Sequence, residues 1–351
     1  MTLSSLHYGS MVSRFLQSRV PLLHQEVNHL ATTNQLRLNV AVCGASGGIG
    51  QSLSLLLKHS ILIKELALYD IVDTIGVATD LSHIPTVPKV RGYVGSQQLK
   101  DALTGAQVVV VTAGTARKTG VTREDLFDLN APVIKEITEG IAEAAPKAII
   151  AVITNPINSL IPIAAEVLKK AGVFDPKKLI GITTLAVLRA RTFIGRAKCI
   201  DPMYINIPVV GGHTGTTIVP LVSRATPPVS FPEEELEAII SKIQRAGTEL
   251  YNVKGNSATL SMAYAGALFV DDLCRAITGE PNIVHCAYVT SEVEEVKYLA
   301  TPVILGPDGI EKNLGVGKTS ELESTLLKEA INIIRQSIEK GEEFVHKVSP
   351  V

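Results

Sequence analysis

Tryptophan is missing from this chain of 351 residues, and aromatic residues of every kind make up only 4% of it. A surface that stacks single-stranded bases needs several exposed aromatics, so that class of function is disfavoured. A strong charge of one sign is missing too. The formal net charge is −1, which argues against a general polyanion binder. Cys43, Cys199, Cys274 and Cys286 lie far apart, with no C-x-x-C pair. That spacing offers neither a zinc knuckle nor a disulfide framework, and it fits a reducing compartment. No apolar run reaches about eighteen residues without a charge or a break, so no stable membrane insertion is expected. The chain also lacks internal repeats, low-complexity blocks and metal-ligand spacings.

What is present is organised around one stretch. Residues 38–43 form an apolar, β-branched run that leads into Gly44-Ala45-Ser46-Gly47-Gly48-Ile49-Gly50. Residues 51–57 then read as a helix. Strand, tight glycine turn and helix together form the phosphate-cradling unit of dinucleotide-binding folds. Glycine lets the backbone turn sharply and approach a pyrophosphate. The new helix aims its free N–H groups at the phosphates. The spacing is G-x-x-G-x-x-G, which by itself also fits an ordinary β–α turn. The next strand, 65–69, ends at Asp70, about twenty residues beyond the last glycine, where a carboxylate accepts from the adenosine ribose hydroxyls. Such a carboxylate repels a 2′-phosphate, so the pair predicts NAD over NADP. Asp70 also suits a turn or helix cap, a part that nearby Asp73 can play.

Further strands are expected at 90–93, 108–112, 148–153 and 179–182. The unbroken β-branched runs among them mark a buried parallel sheet. The segment 117–123 carries Arg117, Lys118 and Arg123 and no acid, which suits an anionic substrate beside a cofactor pocket. A solvated charge run is the plainer account. Asn155 sits where a strand ends, at the edge where parallel sheets bind ligands. Helices are expected at about 130–145 and from near Leu185, the latter carrying Arg189 and Arg191 and capped by Thr183-Thr184. Residues 205–210 alternate like a strand and lead into Gly211-Gly212-His213, a histidine on exposed backbone suited to proton exchange near neutral pH. Helices at 231–253, 257–276 and 319–344 and strands at 284–289 and 301–305 complete the chain. The small residues of 257–276 predict close helix packing, a pattern that also suits a subunit interface.

The first 37 residues stand apart. They hold Arg14, Arg19 and Arg37, no Lys, no Asp and only Glu26. Arg-bearing, acid-poor leaders with a basic amphipathic stretch read as mitochondrial transit peptides. A matrix location follows, or a cytoplasmic one if the segment is an ordinary tail. The expected organisation is a leader at 1–36, an NAD-binding Rossmann-like parallel-sheet domain at 37–182, and an α+β substrate domain at 183–351.

Taken in order, these segments resemble the NAD-dependent malate dehydrogenases, most closely their mitochondrial-type branch. The likeness runs over about 38–344. It is carried by Gly44 to Gly50, Leu68-Tyr69-Asp70, Ala113-Gly114, Arg117-Lys118, Thr122-Arg123, Thr154-Asn155-Pro156, Gly211-Gly212-His213 and the stretch from Ser257 to Gly266. The resemblance implies reversible oxidation of malate to oxaloacetate and a homodimer. It implies that Arg117 and Arg123 come from a mobile loop, with Arg117 meeting the distal carboxylate. Arg189 holds the carboxylate beside the reacting carbon, and Asn155 orients the substrate. His213 takes the hydroxyl proton. Asn130, Ile153, Thr154 and Met262 join the glycine loop and Asp70 at cofactor-contacting positions. An unpaired guanidinium would reject a monocarboxylic acid by roughly 2–5 kcal/mol.

The departures are specific. The family places an aspartate at the position of Ala186, where it pairs with the histidine. Its loss is expected to lower the pKa of His213 and loosen its tautomer. Ala116 and Thr119 stand where the family has prolines, which raises the ordering cost of loop closure by about 1 kcal/mol or less per site. Three readings follow: a malate dehydrogenase with weakened acid–base catalysis, an NAD-binding paralogue that turns over poorly, or a dehydrogenase for another 2-hydroxy acid.

Overall fold

The computed structural model describes residues 37–115, 123–293 and 295–347, without the side chains of Arg123 and Glu124. The proposed leader, Arg117 and the Arg123 guanidinium therefore lie outside the described residues. So do Ala116 and Thr119.

Six strands run parallel: β1 (Leu38–Cys43), β2 (Ile63–Asp70), β3 (Lys89–Val94), β4 (Val108–Val111), β5 (Ile149–Val152) and β6 (Leu179–Ile182). Their spatial order is β3-β2-β1-β4-β5-β6. Every residue of β4, β5 and β6 is buried. Alternation along the strands sorts their side chains onto two apolar faces. Ala41, Cys43, Val109, Val111, Ile150 and Val152 join one core cluster. Val40, Val42, Val108, Val110, Ile149 and Ala151 join the other. A sheet covered on both sides has no polar face to show, which is why its strands read as continuous β-branched runs.

The first face is covered by α4 (Arg123–Ala144), α5 (Ile157–Lys170) and α9 (Glu321–Lys347), counted after α1 (Gly48–Leu57), α2 (Ile75–Ser82) and α3 (Leu99–Leu103). The second face is covered by α1 and by α8 (Leu260–Ile277), which follows α6 (Thr184–Lys198) and α7 (Glu233–Lys254). The small residues of α8 act inside this chain. Ala263 and Ala265 are fully buried, and a Cβ on Gly266 would stand 2.7 Å from Ile153 and 3.3 Å from Leu53.

The sheet continues through antiparallel strands: β7 (Val209–Gly211), β8 (Ile218–Pro220), β9 (Ile283–Thr290), β10 (Tyr298–Gly306) and β11 (Gly309–Asn313). β9 pairs with β6, so the order extends as β6-β9-β10-β7-β8, with β11 on β10. Two expectations change. The strand expected at 205–210 is confined to Val209–Gly211, because Asn206 instead makes an isolated bridge to Thr226. The helix expected from about residue 130 starts at Arg123.

Candidate active site

β1 and β4 are neighbours, yet the chain leaves them in opposite directions across the sheet, and a crevice opens at their C-terminal ends. A cavity of about 330 Å³ lies there. Gly47, Gly48, Ile49 and Gly50 form one wall of it, and Asn130, Ile153, Thr154, Asn155 and Met262 also line it. Arg189 and His213 reach it from the second half of the chain. Gly44, Ala45, Ser46 and Asp70 are not in its wall.

The three glycines of the turn have different tasks. Gly44 has φ +91°, and a Cβ there would stand 2.5 Å from the Ala113 Cα at the end of β4. A Cβ on Gly50 would overlap the Gly44 carbonyl and stand 2.7 Å from the Ala45 Cα, so this glycine lets α1 seat against the turn. Gly47 has only the Gly44 carbonyl near it, at 3.4 Å, leaving the backbone open toward the cavity. Gly47 provides no side-chain cap to α1, and no acid lies in the first turn. The leading N–H groups and positive dipole end of α1 thus suit a phosphate, which is the fit a dinucleotide requires.

Asp70 holds the loop from the other side. Its Oδ2 accepts from the Ser46 N–H at 3.0 Å and its Oδ1 from the Ile71 N–H at 2.8 Å, leaving further lone pairs on both oxygens. The capping role goes to Asp73, whose Oδ1 accepts from the Ile75 N–H at 2.8 Å. Behind the turn, burial first and the Asp70 charge second push the Cys43 thiol up to about 12, so it serves as packing.

Asn130 is a clamp as well as a lining residue. It is 1% exposed, its Oδ1 accepts from the Thr115 N–H at 2.7 Å, and its Nδ2 donates to the Asn155 carbonyl at 2.7 Å. The segments that leave β4 and β5 are tied together at the cavity floor. Thr154 strengthens the tie by donating to the Ala113 carbonyl at 2.7 Å.

The second half supplies the titratable groups. Arg189 projects from α6, and burial lowers the pKa of its guanidinium. Its neighbour Arg191 instead ties down the following turn, donating to the Pro202 and Met203 carbonyls. Thr183 and Thr184 do not cap α6 through their side chains; the Thr183 hydroxyl donates to the Cys286 carbonyl. His213 sits on the corner between β7 and β8. The backbone there was expected to be exposed, but Gly211 and Gly212 are buried and the His213 ring is half-buried. Gly211 has φ +93°, and a Cβ on it would overlap the Thr217 carbonyl.

Burial first and the Arg189 charge second hold the imidazole down from 6.5 to about 4. Its Nδ1 is buried and finds no hydrogen-bond partner among the described residues. Ala186 is 1% exposed and lies in an apolar cluster with Val209 of β7 and Ile218 of β8, the strands flanking the histidine corner. The place that the resemblance assigns to a carboxylate is filled by hydrocarbon. A neutral imidazole beside a buried guanidinium can accept a proton from a hydroxyl group, and the guanidinium can grip a carboxylate.

Sequence reasoning missed part of the wall. Gln244, Gly247, Thr248 and Tyr251 of α7 line the cavity with Asn256 and Thr259. That helix reads as plainly amphipathic, and nothing in its period marks the polar turn that faces a ligand.

The strand order, with a glycine cradle at its switch point, defines a Rossmann-type dinucleotide-binding fold whose second half brings Arg189 and His213 to the same cavity. The chain belongs to the lactate/malate dehydrogenase family: residues 38–181 match its NAD-binding domain and residues 183–345 its α/β C-terminal domain. It is 52% identical to the mitochondrial malate dehydrogenases of Pongo abelii and Homo sapiens, over 90% of this chain and 94% of each of theirs. The crystal structure of the Cryptosporidium parvum malate dehydrogenase superposes with a TM-score of 0.76 at 24% identity, covering 88% of this chain and 99% of that one.

Proposed function

We propose that the protein is an NAD-dependent malate dehydrogenase that interconverts (S)-malate and oxaloacetate, with acid–base catalysis weakened at Ala186. The observation that carries the reading is the convergence of Arg189, Asn155 and His213 on the cavity that the glycine cradle opens into. The close similarity to mitochondrial malate dehydrogenases supports the choice of substrate.

Residues 37–182 form the NAD-binding domain and 183–351 the substrate domain, with the site drawing on both. Gly44 to Gly50 cradle the pyrophosphate, Asp70 takes the adenosine ribose, and Asn130, Ile153, Thr154 and Met262 shape the nicotinamide end. When bound, NAD accepts the hydride that leaves the carbinol carbon of malate. Arg189 grips the adjacent carboxylate, Arg117 meets the distal one, and Arg123 joins them in binding the dicarboxylate. Asn155 orients the reacting oxygen. The Nε2 of His213 takes the hydroxyl proton, which must then sit on a ring whose other nitrogen has no partner among the described residues. An imidazolium with an unsatisfied buried N–H is poorly stabilised, so proton uptake from malate is slowed, and in the reverse direction less of the enzyme carries the proton it must give.

We also infer a transit peptide at 1–36 and a matrix location, from the acid-poor leader and the mitochondrial relatives. A homodimer fits the apolar side chains left exposed on the packed pair α1 and α8: Leu55, Leu56, Leu260 and Tyr264. Among the described residues no helix is long and apolar enough to cross a membrane.

Oxaloacetate-dependent oxidation of NADH by the purified protein, beside His213→Asn, is the test. The wild type is expected to turn over and the variant to lose about 10²- to 10⁴-fold. No turnover by the wild type, with NADH still bound, would leave the NAD-binding paralogue instead.

A further inference from the structure

A histidine ring can be held by its second nitrogen or through its own main chain. In this protein the first handle is missing, since His213 Nδ1 is buried without a partner among the described residues. The second handle is well built. The His213 main-chain N–H donates to Asn158 Oδ1 at 2.9 Å, and Asn158 is 2% exposed. Because that N–H can only donate, the Asn158 amide is oriented with its oxygen toward the histidine. Its Nδ2 then faces the Thr217 hydroxyl at 3.4 Å. Thr217, 1% exposed, closes the corner: its Oγ1 accepts from the Thr214 N–H at 3.0 Å and donates to the Thr214 carbonyl at 2.7 Å. The Tyr288 hydroxyl donates to the Asn158 carbonyl at 3.3 Å and anchors that residue from below. Gly212 completes the fit, because a Cβ on it would stand 2.5 Å from Thr217 Oγ1 and 2.7 Å from Asn158 Nδ2.

Asn158 lies on the first turn of α5, three residues beyond Asn155 of the cavity wall. One buried amide therefore couples the segment that leaves β5, on the cofactor side, to the corner that carries the histidine.

We propose that Asn158 is the positioning residue of His213, setting the ring's place through the main chain where no side-chain carboxylate among the described residues does so. The proposal rests on the dehydrogenase reading for its kinetic consequence, but not for its effect on the ring. Displacing a reacting group by about 1 Å costs on the order of a hundredfold in rate.

The test compares Asn158→Ala and Asn158→Asp with the wild type in oxaloacetate reduction across pH. It also records the ¹⁵N imidazole spectrum of His213 without substrate. Asn158→Ala is expected to lower kcat by about ten- to a hundredfold with KM for oxaloacetate and NADH within about threefold. Its His213 ring signals should move, and the acid limb of the pH profile with them. Asn158→Asp keeps the acceptor for the His213 N–H and should recover most of the loss. If Asn158→Ala does not fold, Thr217→Val is read the same way. A kcat within twofold of wild type, or a loss that only tracks the folded fraction, would overturn the proposal. If the wild type itself fails to reduce oxaloacetate, the dehydrogenase reading falls, and the ring spectrum alone decides: unchanged His213 signals in the variants would sink the role of Asn158.

Discussion

The cofactor wall and the acid–base corner of one cavity are built to different standards of polar satisfaction. On the cofactor side the buried polar side chains that shape the wall are tied. Asn130 joins the ends of β4 and β5 and Thr154 reaches the Ala113 carbonyl; outside the wall, both oxygens of half-buried Asp70 accept from the main chain. At the histidine corner the His213 imidazole, to which we assign the proton transfer, has a buried nitrogen with nothing to bind among the described residues. The first wall depends on backbone geometry, shared over many glycine and amide contacts. The second has hydrocarbon at Ala186, packed in an apolar cluster with Val209 and Ile218. Cofactor binding and catalytic rate can therefore separate in this protein.

The largest effect that tests this contrast is on the cofactor wall. Gly50→Val places a side chain into the Gly44 carbonyl and the Ala45 backbone. It should weaken NADH binding by about a hundredfold or prevent folding at a cost of about 4 kcal/mol or more. NADH fluorescence titration and thermal melting would read it, and near-normal binding would break the claim that backbone fit carries this wall. Ala186→Asp acts on the other side alone. It should raise kcat about tenfold or more, lift the pKa of His213 back toward 6.5, and leave NADH affinity unchanged. Unaltered turnover would mean that the missing carboxylate does not limit the rate.

Acid stability comes next. The folded protein holds His213 near 4 against 6.5 in an unfolded chain, so the unfolded state binds the extra proton between those values. This contribution is complete above pH 6.5 and is lost as pH falls toward 4, amounting to at most about 3 kcal/mol. In urea melts from pH 7 to 4 the wild type should lose that amount of stability relative to His213→Asn. The smallest effect is expected at Asp70→Asn, which should weaken NADH only a few-fold, by about 1 kcal/mol, while narrowing discrimination against NADPH. Paired titrations with the two cofactors would show it.

Much of this was legible in the residues alone. Runs such as 108–111 and 149–152 announce a sheet buried on both faces, and a glycine turn followed by Asp70 announces the nucleotide crevice, because both signals are local and periodic. The residues could not show that α7 turns Thr248 and Tyr251 toward the cavity, since an amphipathic period does not say which polar turn meets a ligand. Nor could they show that Asn158 grips the main chain of a residue 55 positions away. The sequence alone determined which chemistry is available, including the absence of an acid at Ala186. Only the tertiary structure decided that His213 is half-buried, with its Nδ1 buried and unpaired among the described residues, because burial and partnership are properties of the segments brought around a residue, not of the residue itself.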